Sequence, residues 1–266
     1  MGFRQNLAND LAQRVGNSFA GDGTDPSPAS ILGASYHSDW DLADPAVVLS
    51  GGTVVTSVPN KGLGGGALVV GPGTGGTWEA AGFGGAPSMQ FNAGGTFAQA
   101  MMATFDTPIP AGSRAFVWAA MQAPTLAGTC IAFDLQSADN TRALLYYLAN
   151  SGGWSVLIGA NAQPFVTGNP IAAFDTNRHF YELGNVAGGT AAYGLDNATG
   201  NLSGAGGVSV TDVPLTKMLL SGYGPSSDQR GNARYARLIV SSAEPTAEQR
   251  AAMKAYFKRT YTGLSL

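Results

Sequence analysis

Most enzymes that cleave glycosidic bonds use the carboxyl groups of Asp and Glu. This chain has few such residues in suitable positions. Hydrolysis of a glycosidic bond needs two carboxyl groups that face each other across the scissile bond. The sequence contains four glutamates, Glu79, Glu182, Glu244 and Glu248. None belongs to a Glu-x-Asp-x-x-Glu pattern, which would set alternate acids on one face of a strand. We expect Glu182, in the middle of an apolar segment, to point outward into solvent.

The chain offers neither a nucleophilic site nor a zinc site. His37 and His179 are the only histidines, Cys130 is the only cysteine, and no Gly-x-Ser-x-Gly turn occurs. Two histidines and one cysteine cannot supply the ligands of a His-rich or Cys-rich zinc site. We expect His179 to have a structural role and Cys130, inside an apolar run, to be a buried and inert thiol.

One glycine-rich run matches a nucleotide-binding pattern in residue type and spacing, but not in its predicted structural context. Residues 71–76, Gly-Pro-Gly-Thr-Gly-Gly, fit G-x-G-x-x-G. That pattern binds a pyrophosphate where a helix follows it and backbone amides point at the ligand. Here Thr77 and Trp78 follow instead of a helix, and Pro72 has no amide hydrogen. The run is predicted to be a loop.

The composition favours a turn-rich all-β protein and disfavours two classes of partner. Apolar residues make up 44% of the chain, charged residues 12%, and there are 38 glycines. A net charge of -3 without a basic cluster argues against binding to nucleic acid, which needs a concentrated positive face. The longest apolar run, residues 144–149, is too short to cross a membrane. A chain of this length can bury a substantial core as a single domain.

Alternation with a period of two runs through the chain from Pro28 onward. Turns rich in Gly, Pro, Asn and Asp separate short apolar segments, which is typical of antiparallel sandwiches and jelly rolls. Both faces of residues 115–121 are apolar, so this strand is predicted to be covered on both sides. The predicted strands are 46–50, 53–58, 67–71, 88–91, 96–105, 114–121, 129–135, 142–149, 154–159, 178–186, 190–196, 217–221 and 234–241.

The C-terminal segment predicts one strand followed by one capped helix. Within 234–241, Ala236, Leu238 and Val240 are predicted to share one face. Thr246 and Gln249 then match a capping box, in which each side chain meets the other residue's backbone amide. Apolar residues follow at helical spacing, and we expect this helix to pack on the edge of the sheet.

The N-terminal segment differs from the rest of the chain. Phe3, Leu7, Leu11 and Val15 repeat every four residues, as on one side of an amphipathic helix. Residues 21–28 are predicted to be a linker rich in Gly, Asp and Pro. The helix must dock on its own sandwich, pair with its copies or insert into a partner, because it cannot bury its apolar stripe alone. We favour an anchoring arm, since the linker would let it reach away.

Three stretches carry a resemblance to a known family. Residues 236–261, ARLIVSSAEPTAEQRAAMKAYFKRTY, resemble the C-terminal signature of concanavalin A-like (LamG-type) lectin and glucanase sandwich domains. Residues 178–204 resemble the family's strand–turn–strand, and residues 28–95 its opening in many phage and bacterial members. The resemblance implies an all-β antiparallel jelly-roll sandwich over residues 28–266, after an arm and linker over 1–27. The glucanase branch carries the Glu-x-Asp-x-x-Glu pattern that this chain lacks, so we expect no enzymatic activity.

Carbohydrate binding is the ligand chemistry that the resemblance leaves open. It needs aromatic faces for the apolar side of the sugar and polar side chains for its hydroxyls. If residues 150–153 form the hairpin loop, Ala149 pairs with Trp154, and Arg142 and Tyr146 lie on the exposed face with Ser155. Loop 222–231 offers Tyr223, Asp228 and Arg230 at a sheet edge. The competing interpretation of these positions is an ordinary solvated surface.

Some members of the family bind calcium through loop acids, and three sets of aspartates here would allow the same. These sets are Asp22 with Asp25, Asp39 with Asp41 and Asp44, and Asp139. No twelve-residue calcium loop is present. We therefore expect no required cofactor, with calcium as the open alternative.

The leading hypothesis is a non-enzymatic virion protein of a bacteriophage or phage-like particle: a head fibre, a decoration protein or a tail-associated adhesin. Its arm would bind other virion proteins, and its sandwich would bind host surface glycans. A homo-oligomer is expected, and a nucleic acid or membrane partner is not. The N-terminus has no apolar signal segment, so we expect synthesis in the host cytoplasm and a place in the virion. The alternatives are a purely structural or oligomerising coat module without a ligand and, disfavoured by the acids, a polysaccharide-degrading enzyme.

Overall fold

The computed structural model describes residues 25–71, 73–91, 99–122, 130–138, 142–149, 153–157, 177–186, 190–202, 213–221, 232–264 and 266. In these ranges the chain forms an all-β sandwich of sixteen strands with two short helices. The predicted arm residues Phe3, Leu7, Leu11 and Val15 lie outside the described residues. The boundary between arm and sandwich stays a prediction.

The elements are named in chain order. The helices are α1 (Pro28–Leu32) and α2 (Ala247–Thr260), with a 3₁₀ turn at Gly33–Ser35. The strands are β1 (Tyr36–Asp41), β2 (Val48–Ser50), β3 (Val54–Val58), β4 (Leu68–Val70), β5 (Thr77–Phe83), β6 (Ala86–Gln90), β7 (Met101–Ile109), β8 (Phe116–Gln122), β9 (Cys130–Ser137), β10 (Arg142–Ala149), β11 (Gly153–Leu157), β12 (Arg178–Val186), β13 (Thr190–Leu195), β14 (Ala198–Leu202), β15 (Leu215–Leu220) and β16 (Arg234–Ser241). Neither of these helices is long and apolar enough to cross a membrane.

The strands pair into one continuous sheet of sixteen strands, which folds into two antiparallel layers that we call the helix-side sheet and the far sheet. The helix-side sheet has the order β5-β6-β16-β8-β12-β13-β14, and β1 also pairs with β16. The far sheet has the order β11-β10-β9-β15-β7-β4-β3, with β2 beside β3. The two layers are joined where Val54 of β3 pairs with Thr77 of β5, and Trp40 of β1 also forms a bridge with Asn60, which follows β3. The predicted all-β sandwich is confirmed, although α1, β1, β5 and β14 were not among the predicted elements.

Apolar side chains form two layers of core. The first layer lies between the sheets and includes Val117, Leu238, Met101 and Leu135. The second layer lies between the outer face of the helix-side sheet and the two helices. Strand β8 supplies both layers, because its alternate residues point to opposite sides. This confirms the prediction that residues 115–121 are covered on both faces.

Helix α2 begins at the predicted capping box. The Thr246 hydroxyl accepts a hydrogen bond from the Gln249 amide at 3.2 Å, and Gln249 Oε1 accepts one from the Thr246 amide at 2.9 Å. The helix packs across the face of the sheet, where Phe257 contacts Phe180 of β12 with ring centroids 5.0 Å apart. The predicted position at the sheet edge is therefore wrong.

Strand β16 contains a β-bulge that changes which side chains share a face. The pairing with β8 shifts register between Tyr235 and Arg237. Ala236 consequently lies in the helix-side layer, whereas Leu238 and Val240 lie between the sheets. The prediction that these three residues share one face fails at Ala236, because a bulge inserts one residue into the alternation.

A buried ion pair joins β1 to β16. Arg237 Nε donates to Asp39 Oδ1 at 2.7 Å, and Arg237 Nη1 lies 3.1 Å from Asp41 Oδ2. Arg237 also donates to the hydroxyl of Tyr256 in α2. Burial alone would lower the pKa of Arg237, but the hydrogen bonds and charge of Asp39 outweigh burial and raise that pKa above its ordinary value. The guanidinium is therefore charged at every pH at which the protein folds.

Replacing Arg237 by methionine (R237M) should leave the buried Asp39 carboxylate without its cation. Removal of one partner of a buried pair lowers the free energy of unfolding by roughly 3–5 kcal/mol. The control is Lys61→Met, because the Lys61 side chain is 37% exposed in its ion pairs with Asp41 and Asp44. That change should cost less than about 1 kcal/mol. Urea unfolding measures both, and equal losses would contradict the assigned role of Arg237.

His37 of β1 is a buried imidazole with both ring nitrogens in contact. Its Nε2 lies 2.8 Å from the carbonyl oxygen of Thr107, and its Nδ1 lies 2.8 Å from the hydroxyl of Ser38. Burial lowers the pKa of His37 below the ordinary value of 6.5, against the opposing effect of the Thr107 carbonyl. The folded chain thus holds His37 neutral, with Nε2 assigned as the donor and Nδ1 as the acceptor.

The lowered pKa of His37 predicts a loss of stability in mild acid. Below pH 6.5 the unfolded chain binds a proton at His37 that the folded chain does not, so the free energy of unfolding should fall until the pH reaches the folded pKa. The measurement is urea unfolding between pH 7.5 and pH 5 for the wild type and His37→Gln. Subtracting the two profiles cancels the other titrating groups. A difference that stays flat over this range would contradict the assignment.

Candidate functional site

The predicted sugar-binding residues fall largely outside what the structure describes. Tyr223, Asp228 and Arg230 lie outside the described residues. Arg142 and Tyr146 lie in β10, for which the structure describes the backbone course. These site assignments remain predictions.

The register of the β10–β11 hairpin differs by one residue from the predicted one. Ala149 pairs with Gly153, and Leu148 pairs with Trp154. Tyr146 therefore pairs with Val156, and Ser155 pairs with Tyr147. The predicted grouping of Tyr146 with Ser155 is wrong, because the hairpin loop is one residue shorter than the sequence analysis assumed.

The predicted calcium-binding aspartates are engaged with cations where the structure describes them. Asp39 and Asp41 pair with Arg237, and Lys61 lies 3.0 Å from Asp44. Asp25 pairs with Arg259 at 2.9 Å. Asp22 and Asp139 lie outside the described ranges. Within those ranges no three His, Cys, Asp or Glu side chains are grouped as metal ligands.

A row of polar side chains crosses five neighbouring strands of the helix-side sheet. We call this row the polar ladder, and its members are Arg178, Gln122, Arg234, Gln90 and Thr77. Each is paired in register with the next, across β12, β8, β16, β6 and β5. Residues paired directly across antiparallel strands project from the same face. The ladder was not predicted, because its members lie far apart in the sequence and become neighbours only through strand order.

The ladder lies on the outer face, next to the area that α2 covers. The residues before Gln122 and Gln90 and after Arg234, namely Met121, Met89 and Tyr235, point into the core between the sheets. Alternation along each strand places the ladder on the opposite side. Arg178 Nη1 donates to the carbonyl oxygen of Thr262 at 3.3 Å, so the segment that follows α2 borders the ladder.

Arg234 is the centre of a hydrogen-bonded group within the ladder. Its Nη1 donates to Gln122 Oε1 at 3.2 Å, its Nη2 lies 2.9 Å from Glu79 Oε2, and its guanidinium also donates to Gln90 Oε1. Its Nε is buried without a hydrogen-bond partner, as is the nearby Ser88 Oγ. The ladder, with the adjoining carboxylate of Glu79, thus holds amide, guanidinium and hydroxyl groups in fixed positions on a sheet face. These groups suit a ligand rich in hydroxyls.

A second polar cluster lies beneath the first turns of α2. Glu182 of β12 is only 4% exposed. Its Oε2 accepts from Trp118 Nε1 at 3.1 Å, and its Oε1 accepts from Arg250 Nε at 3.2 Å. The prediction that Glu182 points into solvent is wrong: it does point outward from the sheet, but α2 covers that face. An acid inside an apolar strand opposite a cationic helix is the signal that could have indicated this pair.

His179 lies at the start of β12 in a structural contact. Its Nδ1 is 2.5 Å from Asp196 Oδ2, and its ring meets Tyr181 edge-on at 5.9 Å between centroids. Asp196 Oδ1 also accepts from the Phe180 amide at 2.9 Å. The contact between His179 and Asp196 connects β12 to the turn between β13 and β14. These contacts support the predicted structural role of His179.

No protein-family model matches the chain, and no curated protein matches it. Solved structures share its fold. The botulinum neurotoxin serotype D binding domain superposes with a TM-score of 0.58 at 9% identity, over 86% of this chain and 53% of that chain. Trypanosoma rangeli sialidase in complex with sialic acid gives 0.59 at 14% identity, over 98% of this chain and 40% of the sialidase. An arabinofuranosidase bound to arabinofuranosyl-alpha-1,2-xylobiose gives 0.55 at 10% identity, over 76% of this chain and 50% of the enzyme.

The chain spans about half or less of the length of these three neighbours. At such low identities the likeness shows the fold, a β-sandwich that occurs in proteins acting on or bound to carbohydrates.

Proposed function

We propose that this chain is a non-enzymatic glycan-binding sandwich and that the polar ladder is its contact surface. The observation that carries the proposal is the in-register row of Arg178, Gln122, Arg234, Gln90 and Thr77 on an outer sheet face. Side chains fixed by their neighbours lose little entropy when a ligand binds, and this favours recognition by hydrogen bonds. Gln90 is buried and its Oε1 accepts a hydrogen bond from Arg234, so Gln90 holds the Arg234 guanidinium in position.

The neighbours support glycans as the ligand class. One of the matching structures is a botulinum neurotoxin serotype D ligand-binding domain in complex with N-acetylneuraminic acid. It covers 86% of this chain at 8% identity, with a TM-score of 0.58. The likeness concerns the fold, so the choice of glycan has to come from this chain's own side chains.

The described carboxylates support a binding role over hydrolysis. Glu79 is paired with Arg234, Glu182 with Arg250, and Asp39 with Arg237. Each of these three acids forms an ion pair with an arginine. A hydrolase needs one acid as a proton donor and a second carboxylate opposite it.

The biological setting that we propose is the virion of a bacteriophage or phage-like particle, as a head fibre, decoration protein or tail-associated adhesin. Support for it comes from the sequence resemblance over residues 28–262 and from the stripe Phe3, Leu7, Leu11 and Val15. The stripe would anchor the chain to other virion proteins, and the sandwich, as a homo-oligomer, would present several ladders to host glycans. Several weak sites on one particle bind a surface together much more tightly than one site does.

Substitutions in the ladder should weaken glycan binding without unfolding the chain. We expect Arg178→Ala and Gln90→Ala each to reduce affinity about tenfold, which corresponds to the loss of roughly one charge-assisted or amide hydrogen bond. Arg114→Ala is the matched control, because Arg114 is a surface arginine outside the ladder that lies 3.6 Å from Glu244. The measurement is binding of the full chain to a glycan array, followed by titration with the glycans that it retains.

Two results would contradict the proposal. One is equal affinity for the ladder variants and R114A. The other is the absence of any retained glycan when circular dichroism shows a folded chain. Release of reducing sugar from a retained glycan would contradict the non-enzymatic assignment while leaving the ladder as a binding surface.

A further inference from the structure

A shallow groove lies between α2 and the strands β12 and β14. It has a volume of about 210 Å³ and is lined by Glu182, Thr199, Ala247, Arg250, Ala251 and Lys254. We call it the helix groove. Pockets that enclose drug-sized ligands measure roughly 300–1,000 Å³, so this groove suits a small group.

The helix groove exists because small residues surround a buried acid. Gly194 stands between Glu182 and Thr199 in the register of β12, β13 and β14. A Cβ at Gly194 would lie 2.6 Å from Glu182 Cγ, so the glycine makes room for the Glu182 side chain. On the helix side, the short side chains of Ala247 and Ala251 leave the groove open.

Glu182 holds Arg250 in one orientation. Arg250 Nε donates to Glu182 Oε1 at 3.2 Å, its Nη2 donates to the same oxygen, and its guanidinium lies 5.2 Å from the centroid of the Phe116 ring. The indole of Trp118 satisfies the second carboxylate oxygen at 3.1 Å. Arg250 Nη1 is left without a partner among the described residues.

Lys254 adds a second cation to the same wall. It lies four residues after Arg250, one turn further along the same face of α2. Within the described part of the chain it makes no hydrogen bond and no ion pair. Glu182 neutralises Arg250, so the charge of Lys254 is uncompensated. The groove therefore carries one net positive charge, which favours an anion as its ligand.

We propose that the helix groove binds a small oxyanion. Arg250 Nη1 and Lys254 Nζ would donate charge-assisted hydrogen bonds to it, and the hydroxyl of Thr199 would add a third donor. The carboxylate of an acidic sugar and a sulfate ester share this chemistry. Because the groove lies beside α2 and not on the polar ladder, this inference does not depend on glycan binding at the ladder.

The test uses the full chain with three sugars: glucuronate, glucose 6-sulfate and neutral glucose, titrated by calorimetry at low ionic strength. We expect saturable binding of at least one charged sugar and none of glucose. Lys254→Gln should weaken that binding about tenfold. Lys258→Gln, an exposed position near the end of the same helix, should leave it unchanged. The preferred sugar identifies carboxylate or sulfate as the oxyanion.

Equal binding of glucose and the charged sugars would overturn the proposal, as would equal affinities for K254Q and K258Q. The ladder variant Q90A should bind the charged sugar like the wild type. Its failure to do so would place the oxyanion at the ladder and would also overturn the helix groove as the site. Loss of array glycans in Q90A with unchanged oxyanion binding separates the two proposals.

Discussion

The buried ion pair between Asp39 and Arg237 is the interaction on which the rest of the structure depends. It joins the N-terminal strand β1 to the central strand β16, although the two residues are far apart in the sequence. Arg237 follows the bulge in β16, which turns its side chain to the outer face, where it also meets Tyr256 of α2. The Arg237 guanidinium therefore contacts β1, follows the bulge in β16 and holds α2 against the sheet. A charge buried in this way is stable only with all its partners present, so the three features form or fail together.

The position of α2 divides the outer face of the helix-side sheet into two chemically different areas. Under the helix, Trp118, Phe180 and Ile239 are covered by Met253 and Phe257. Beyond it, the same strands β8, β12 and β16 carry Gln122, Arg178 and Arg234 of the polar ladder. The apolar area contributes stability through burial. The polar area contributes little to the core, and it is the surface that we propose for the ligand. Fold and proposed function thus use different ends of the same strands.

Local patterns in the sequence predicted the elements whose cause is local. The capping box of Thr246 and Gln249 and the doubly covered strand β8 are of this kind, as is the all-β class. Strand β1 was missed because its polar residues, among them His37 and Asp39, are buried by partners that the alternation does not show. The predictions that Glu182 points into solvent and that Tyr146 lies beside Ser155 were wrong, because a covering helix and a one-residue register shift are tertiary features. The polar ladder depends on the order of the strands in the sheet, and no local sequence pattern predicts that order.

We propose that glycans bind on the outer sheet face at the polar ladder. The most direct measurement is the change in backbone amide chemical shifts of the isotope-labelled full chain during titration with an oligosaccharide retained on the array. We expect the largest changes at the ladder positions of β5, β6, β8, β12 and β16, and no changes in β2 to β4 of the far sheet. Largest changes on the far sheet, or no changes with a ligand that binds, would contradict it.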